Sequence, residues 1–233
     1  MQWASQGIGG TGKTHFLLTA PEPIFVALFD PKGIDPLRKK DEFKDKDIRW
    51  REYGFNPGKL AVEDRPKAAK DALDLFLEDY RLALKHARTI GWDKEDHVYE
   101  MLRYARLESY TDRPSSYYEL NLEYRGWFAD AAEAGVNLGV LRGMKEKWGT
   151  GAKGQPVGLG VLEPRGQREV NELVQVVLDH RFDDETREFK ARIHEKCRVG
   201  PATELIGEEF GSLDFATLAS ILYPESSEED WQG

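Results

Sequence analysis

Residues Gly7-Ile8-Gly9-Gly10-Thr11-Gly12-Lys13-Thr14 match the pattern G-x-x-x-x-G-K-[ST] at every fixed position. Few short sequences restrict a fold as strongly. The glycines let the backbone wrap tightly, so that successive N–H groups face one cluster of oxygen atoms. Lys13 then brings a positive charge suited to β- and γ-phosphates, and Thr14 brings a hydroxyl suited to Mg²⁺. The pattern has this meaning only between a strand and a helix. Met1 to Ser5 reads as a short strand, and His15 to Ala20 continues as a helix whose positive dipole end aims at the same phosphates. Gly7, Gly9, Gly10, Thr11, Gly12, Lys13, Thr14 and His15 are therefore the expected nucleotide contacts, with ATP and Mg²⁺ as ligands.

The rest of the chain alternates in the way such a loop requires. Ile24 to Phe29 is a continuous apolar run between turn signals, the mark of a buried parallel strand. Residues 35–58 read as loops with a short edge strand near Ile48 to Tyr53. Pro66 to Ala87 repeats Leu73, Phe76, Leu77, Tyr80 and Leu84 at helical spacing. Thr89 to Trp92 reads as a strand ending at Asp93, and Glu95 to Leu107 as the next helix. Tyr117 to Ala134 is a further helix carrying Tyr118, Leu122, Trp127 and Phe128, capped by Gly135. Val136 to Leu141 is another strand. Gly143 to Gly166 is rich in Gly and Lys without periodicity and reads as a mobile loop. Val170 to Asp179 and Phe189 to Cys197 read as a hairpin closed by Asp183-Asp184-Glu185. A short amphipathic segment follows at Phe215 to Leu222. The expected class is α/β, a mostly parallel sheet flanked by helices, with a C-terminal antiparallel hairpin.

Length and composition bound the answer. The 233 residues suit one domain, expected over 1–224, with an acidic, disordered tail at 225–233. At 40% hydrophobic and 11% aromatic residues, the chain is globular. No apolar run is long enough for a bilayer, and the N-terminus lacks the basic start and apolar core of a signal peptide. One cysteine, Cys197, fits a reducing compartment, so a cytoplasmic setting is expected. A net charge of −9 excludes general attraction to nucleic acid, so any such contact needs a local basic patch.

A phosphate loop of this kind needs a carboxylate to hold Mg²⁺ and another to orient the attacking water. Asp93 ends a strand and fits the first role; the same position suits a helix N-cap, with Asp96 completing a capping box. Asp30 ends the neighbouring strand and fits the second role; an Asp before Pro31 also suits an ordinary turn. These strand ends should converge, because ligands of parallel sheets bind at the carboxyl ends of the strands.

Taken in order, Gly7 to Leu18, Pro21-Glu22-Pro23-Ile24, Phe29-Asp30-Pro31-Lys32-Gly33, Thr89 to Arg106, Asn137 to Lys147, Lys196-Cys197-Arg198 and Phe215 to Pro224 resemble a bacteriophage family of RecA-like ATPases. The resemblance spans nearly the whole chain, and its specific part is the phosphate loop. It implies a RecA-like core, Mg-ATP hydrolysis, a homo-oligomeric ring or filament, and single-stranded DNA in recombination or replication. A single-strand-binding protein as partner, and the cytoplasm of a bacterial host, would follow. Gly91 and Lys94 depart from the usual apolar strand before the metal-holding aspartate.

Within that resemblance, the Gly143–Arg168 segment is the expected DNA contact. It carries Lys145, Lys147, Lys153, Arg165 and Arg168 against the acids Glu146 and Glu163, with Trp148 for stacking. The same composition also suits a solvated connector. Lys196 and Arg198, closing a hairpin strand, are candidates for a basic finger reaching a neighbour's γ-phosphate; surface charge is the simpler reading for either alone. The tail with Trp231 can compete with DNA for the basic segment, dock on a partner, or merely solubilise. A non-catalytic nucleotide-binding switch or assembly subunit is the alternative function. A small-molecule kinase is disfavoured, because no Arg-rich lid lies between paired helices.

Overall fold

The computed structural model describes residues 1–29, 34, 37, 39–106, 114–150, 154–194, 198–199, 203–226 and 231, with 114–116 described in backbone only. The elements run β1 (Gln2–Gln6), α1 (Lys13–Leu18), β2 (Ile24–Leu28), β3 (Ile48–Glu52), α2 (Arg65–His86), β4 (Thr89–Asp93), α3 (Glu95–Arg106), α4 (Pro114–Glu133) and β5 (Asn137–Arg142). They continue with β6 (Met144–Thr150), β7 (Pro156–Pro164), α5 (Val170–Leu173), β8 (Val176–Asp183), β9 (Glu188–Ile193), β10 (Glu209–Gly211) and α6 (Phe215–Leu222).

The main sheet has the order β10-β9-β8-β1-β5-β4-β2-β3. Six strands from β8 to β3 are parallel, and β9 and β10 add an antiparallel edge. This is the mixed α/β, mostly parallel sheet expected from the alternation of elements. β1 lies between β5 and β8. The chain leaves β1 toward β2, β4 and β5 on one side and later adds β8 on the other. The carboxyl end of β1 is therefore a topological switch point, where open sheets form a crevice.

Side-chain alternation along the strands serves two faces. Ala4, Ala27, Ile90, Trp92, Leu138 and Val140 point into a core shared with α2, α3 and α4. Trp3, Val26, Leu28, Leu141, Val176 and Leu178 point to the other face, under α1 and α6. Gly91 of β4 and Gly139 of β5 make room there. A Cβ on Gly91 would come within 2.3 Å of Leu17 Cδ2, and one on Gly139 within 2.2 Å of Trp3 Cζ2. Gly91, atypical as a strand residue by sequence, thus lets α1 settle onto β4.

Two expectations need correction, and two further features were not foreseen. The segment expected to be a mobile loop is an antiparallel pair, β6 with β7, bulged between Glu146 and Trp148. Helix periodicity was absent because the segment is extended, and its glycines hid the strand alternation. The strand expected from Val170 begins at Val176, because Val170–Leu173 turns as a short helix first. On α4 the buried face is Leu120, Tyr124, Trp127, Phe128 and Ala131, while Tyr118 and Leu122 face out. β10, too short to register in the sequence, extends the edge beyond β9. In the tail, Trp231 stacks on Tyr223 with ring centroids 5.4 Å apart and donates its indole N–H to Ser226 Oγ at 2.6 Å. No described helix is long and apolar enough to cross a membrane.

Candidate functional site

The glycine-rich loop follows β1 at the carboxyl edge of the sheet. Gly10 and Gly12 adopt positive φ values of 79° and 90°, a region that favours glycine. Gly7 is required for a different reason: a Cβ there would lie 2.4 Å from the His180 carbonyl oxygen. Thr11 is buried and donates to Ile8 O at 2.9 Å, which closes the turn on itself. Lys13 Nζ donates to Gly7 O at 2.8 Å and Ile8 O at 2.7 Å, so its ammonium lies inside the curve of the loop. Burial lowers the Lys13 pKa, and the Asp93 carboxylate opposes that shift.

β4 brings Asp93 to the same edge, two strands from β1. Thr14 Oγ1 donates to Asp93 Oδ2 at 3.2 Å. Thr14 and Asp93 are 79 residues apart in sequence, so their contact is a product of the fold. Lys94 follows in the left-handed region at φ 70°, a backbone state uncommon for a side chain of its size. Lys13, Thr14, Asp93, Gly9 and Gly10 line one cleft of about 480 Å³, together with Asp96, His97, Arg142 and Arg165.

Beneath the cleft sits a buried polar network. Glu95 is fully buried and Arg142 is nearly so. Their side chains pair at 3.3 Å between Glu95 Oε2 and Arg142 Nε. Tyr124 OH and the Gln167 N–H donate to Glu95 Oε1. Arg142 also donates to Arg165 O at 2.9 Å, Gln167 O at 2.9 Å and Asn171 Oδ1 at 2.7 Å. Burial pushes the Glu95 carboxyl up to about 7; Arg142, Tyr124 and the Gln167 N–H hold it down against that. On the other side of the loop, His180 is buried against Ser5 Oγ at 3.0 Å. Desolvation and the Lys13 charge lower its pKa to about 3, so it remains neutral.

Of the residues expected at the site, the fold brings together the glycine-rich loop, Lys13, Thr14 and Asp93. His15 lies on the far side of the loop, where its Nε2 meets Glu42 Oε1 at 2.8 Å. Asp30, Lys153 and Lys196 lie outside the described residues. Arg198 is exposed, and its N–H donates to Gln175 O at the amino end of β8, the opposite end of the sheet from the loop. A role for it at a γ-phosphate therefore requires a second copy of the chain. Lys145, Lys147 and Trp148 are exposed on β6, with Lys145 Nζ 3.5 Å from Glu163. The pair β6–β7 rises from the lip of the cleft, its roots joined by the Arg165 N–H to Gly143 O bond at 2.9 Å.

Sequence reasoning gave Asp96 only a capping role and Arg165 only a DNA contact, and overlooked Glu95, His97 and Arg142. Asp96 Oδ1 and His97 Nδ1 are buried atoms without a hydrogen-bond partner among the described residues. Their spacing of three and four from Asp93 places them on the first turn of α3, a signal available in the sequence. Arg142 carried no such signal, because its partners come from two distant segments, Glu95 and the stretch from Arg165 to Asn171. No family model matches the chain, and no curated protein matches it in sequence.

Proposed function

We propose that this chain is a RecA-like P-loop ATPase that binds Mg-ATP at the cleft beside Lys13. The observation that carries the reading is the Thr14–Asp93 contact. A hydroxyl from the glycine-rich loop and a carboxylate from the end of β4 meet, and together they would hold a magnesium ion, which would neutralise phosphate charge. Lys13, inside the loop, supplies the charge for the terminal phosphates. On nucleotide binding it would exchange its bonds to Gly7 O and Ile8 O for bonds to phosphate oxygens. Asp30 orients the attacking water, and Asp96 offers a second carboxylate at the same cleft.

The exposed β6–β7 pair supports single-stranded DNA as the second ligand. Lys145 and Lys147 suit phosphates, Trp148 suits base stacking, and the pair is rooted at the nucleotide cleft. In this reading the protein acts in phage recombination or replication as a homo-oligomer. A second reading, a nucleotide-binding switch without turnover, draws on Glu95: the acid nearest Asp93 in sequence is held by Arg142 and Tyr124 and has no freedom to act on water.

The test is Mg-ATP hydrolysis with and without single-stranded DNA, for the parent and for Lys13→Ala. DNA-stimulated turnover is expected in the parent. The variant should lose turnover and about 1.5–3 kcal/mol of nucleotide affinity, the usual worth of a charge-assisted contact. Tight binding without turnover selects the switch. Equal affinity in parent and variant refutes the site.

A further inference from the structure

A second cavity, of about 370 Å³, opens on the side of the glycine-rich loop away from Asp93. It is bounded by Gly12, His15, Glu42, Phe189, Ser212 and Asp214. Its walls come from four separate parts of the chain, one of them the turn from Ser212 to Asp214 that follows β10. α1 supplies His15, the segment before β3 supplies Glu42, and the β8–β9 hairpin reaches past the end of β1 to supply Phe189. The ring of Phe189 lies directly over the loop: a Cβ on Gly12 would be 3.0 Å from Phe189 Cγ. His15 faces it, with ring centroids 6.4 Å apart and planes 24° from parallel. Phe43 backs His15 edge-on at 5.1 Å, and Phe182 backs Phe189 at 5.2 Å. Phe189 nevertheless remains 39% exposed while lining the cavity. Ser212, whose N–H donates to Phe189 O at 3.0 Å, holds a left-handed backbone beside it at φ 50°, a conformation that a non-glycine residue adopts rarely.

We infer that this cavity is the nucleobase site, in which the heterocycle of a nucleoside triphosphate stacks on Phe189. The inference rests on the reading of the glycine-rich loop as a phosphate site. Asp93 and Thr14 mark the end of the loop where the metal and terminal phosphates sit. The α-phosphate and the sugar must then leave at the other end, past Gly12 and His15, and the cavity begins there. Its volume is in the range of small-molecule sites. Flat aromatic walls favour a planar heterocycle, and Glu42 offers an acceptor for a ring amino group. Phe189 is thus a base-recognition residue, contributed by the antiparallel edge of an otherwise parallel sheet.

The experiment compares two probes by calorimetry in Mg²⁺: ATP, and inorganic tripolyphosphate, which has the phosphates without the base. The parent should bind both, and ATP more tightly. Phe189→Ala should weaken ATP about ten-fold or more, as removal of one base–aromatic stack does, and leave tripolyphosphate unchanged. Phe189→Trp should keep ATP binding near the parent value. Unchanged tripolyphosphate binding shows that the loop stays folded in each variant. If Phe189→Ala binds ATP as tightly as the parent, the cavity is not the base site. Loss of both probes in Phe189→Ala, with Phe189→Trp intact, makes Phe189 a support for the loop and also overturns the inference. If the parent binds neither probe, the phosphate-loop reading fails and the base site falls with it.

Discussion

The substitution Glu95→Gln should change how stability depends on pH, and the size of the change follows from burial. The Glu95 carboxyl is fully buried, and desolvation raises its pKa from an ordinary 4.5 to about 7. A carboxyl with a raised folded value keeps its proton in the native state after the unfolded chain has lost it. Between those two values the unfolded state binds fewer protons, so unfolding free energy falls as pH rises, and it levels off above the folded value. Integrating between pH 5 and 8 gives a loss on the order of 2–3 kcal/mol from this one group. The glutamine side chain of the variant does not titrate. Its amide oxygen can still accept from Tyr124 and the Gln167 N–H, and Arg142 keeps its bonds to Arg165 O, Gln167 O and Asn171 Oδ1. The variant should therefore gain roughly 2–3 kcal/mol on the parent as pH goes from 5 to 8, whatever its stability at pH 5. Urea unfolding followed by tryptophan fluorescence at stepped pH measures this directly. A constant difference between the two proteins across that range would refute the argument, since it would mean that Glu95 is ionised throughout and fully compensated by Arg142.

Other consequences are simpler. Asp93→Asn should abolish most of the difference between ATP affinity in Mg²⁺ and in EDTA, a loss of about 1.5–3 kcal/mol in the magnesium arm alone, read by calorimetry. Gly7→Ala should cost about 1–3 kcal/mol of stability, because its Cβ would meet the His180 carbonyl at 2.4 Å; a thermal midpoint equal to the parent's would contradict that close approach. Neutralising Lys145, Lys147 and Lys153 together should flatten the salt dependence of oligonucleotide binding, lowering the slope by about 0.7 for each phosphate no longer neutralised. Anisotropy at two salt concentrations tests this, and parent-like binding would make β6–β7 a connector rather than a DNA surface.

The parts of this protein that depend on neighbours in sequence were legible before the fold. Gly7 to Thr14 announces a tight turn with a lysine and a hydroxyl, because backbone freedom and side-chain chemistry are local properties. The apolar run of β2 and the helical spacing of Leu73, Phe76, Leu77 and Tyr80 were legible too, because each repeats the period of its own element. Even the pairing of Asp93 with the loop was expected, since parallel strands bring their carboxyl ends together. What needed the tertiary structure was everything set by packing between distant segments. Gly91 looked like a weakness in β4 until Leu17 of α1 was seen against it. Segment 143–166 looked like a loop, because its glycines break the alternation by which a strand is recognised, and cross-strand pairing alone gives it form. Glu95 followed Asp93 in sequence like any surface residue at a helix start. Only the convergence of Tyr124, Arg142 and Gln167 removes it from water, and burial, which no local pattern encodes, then decides its charge.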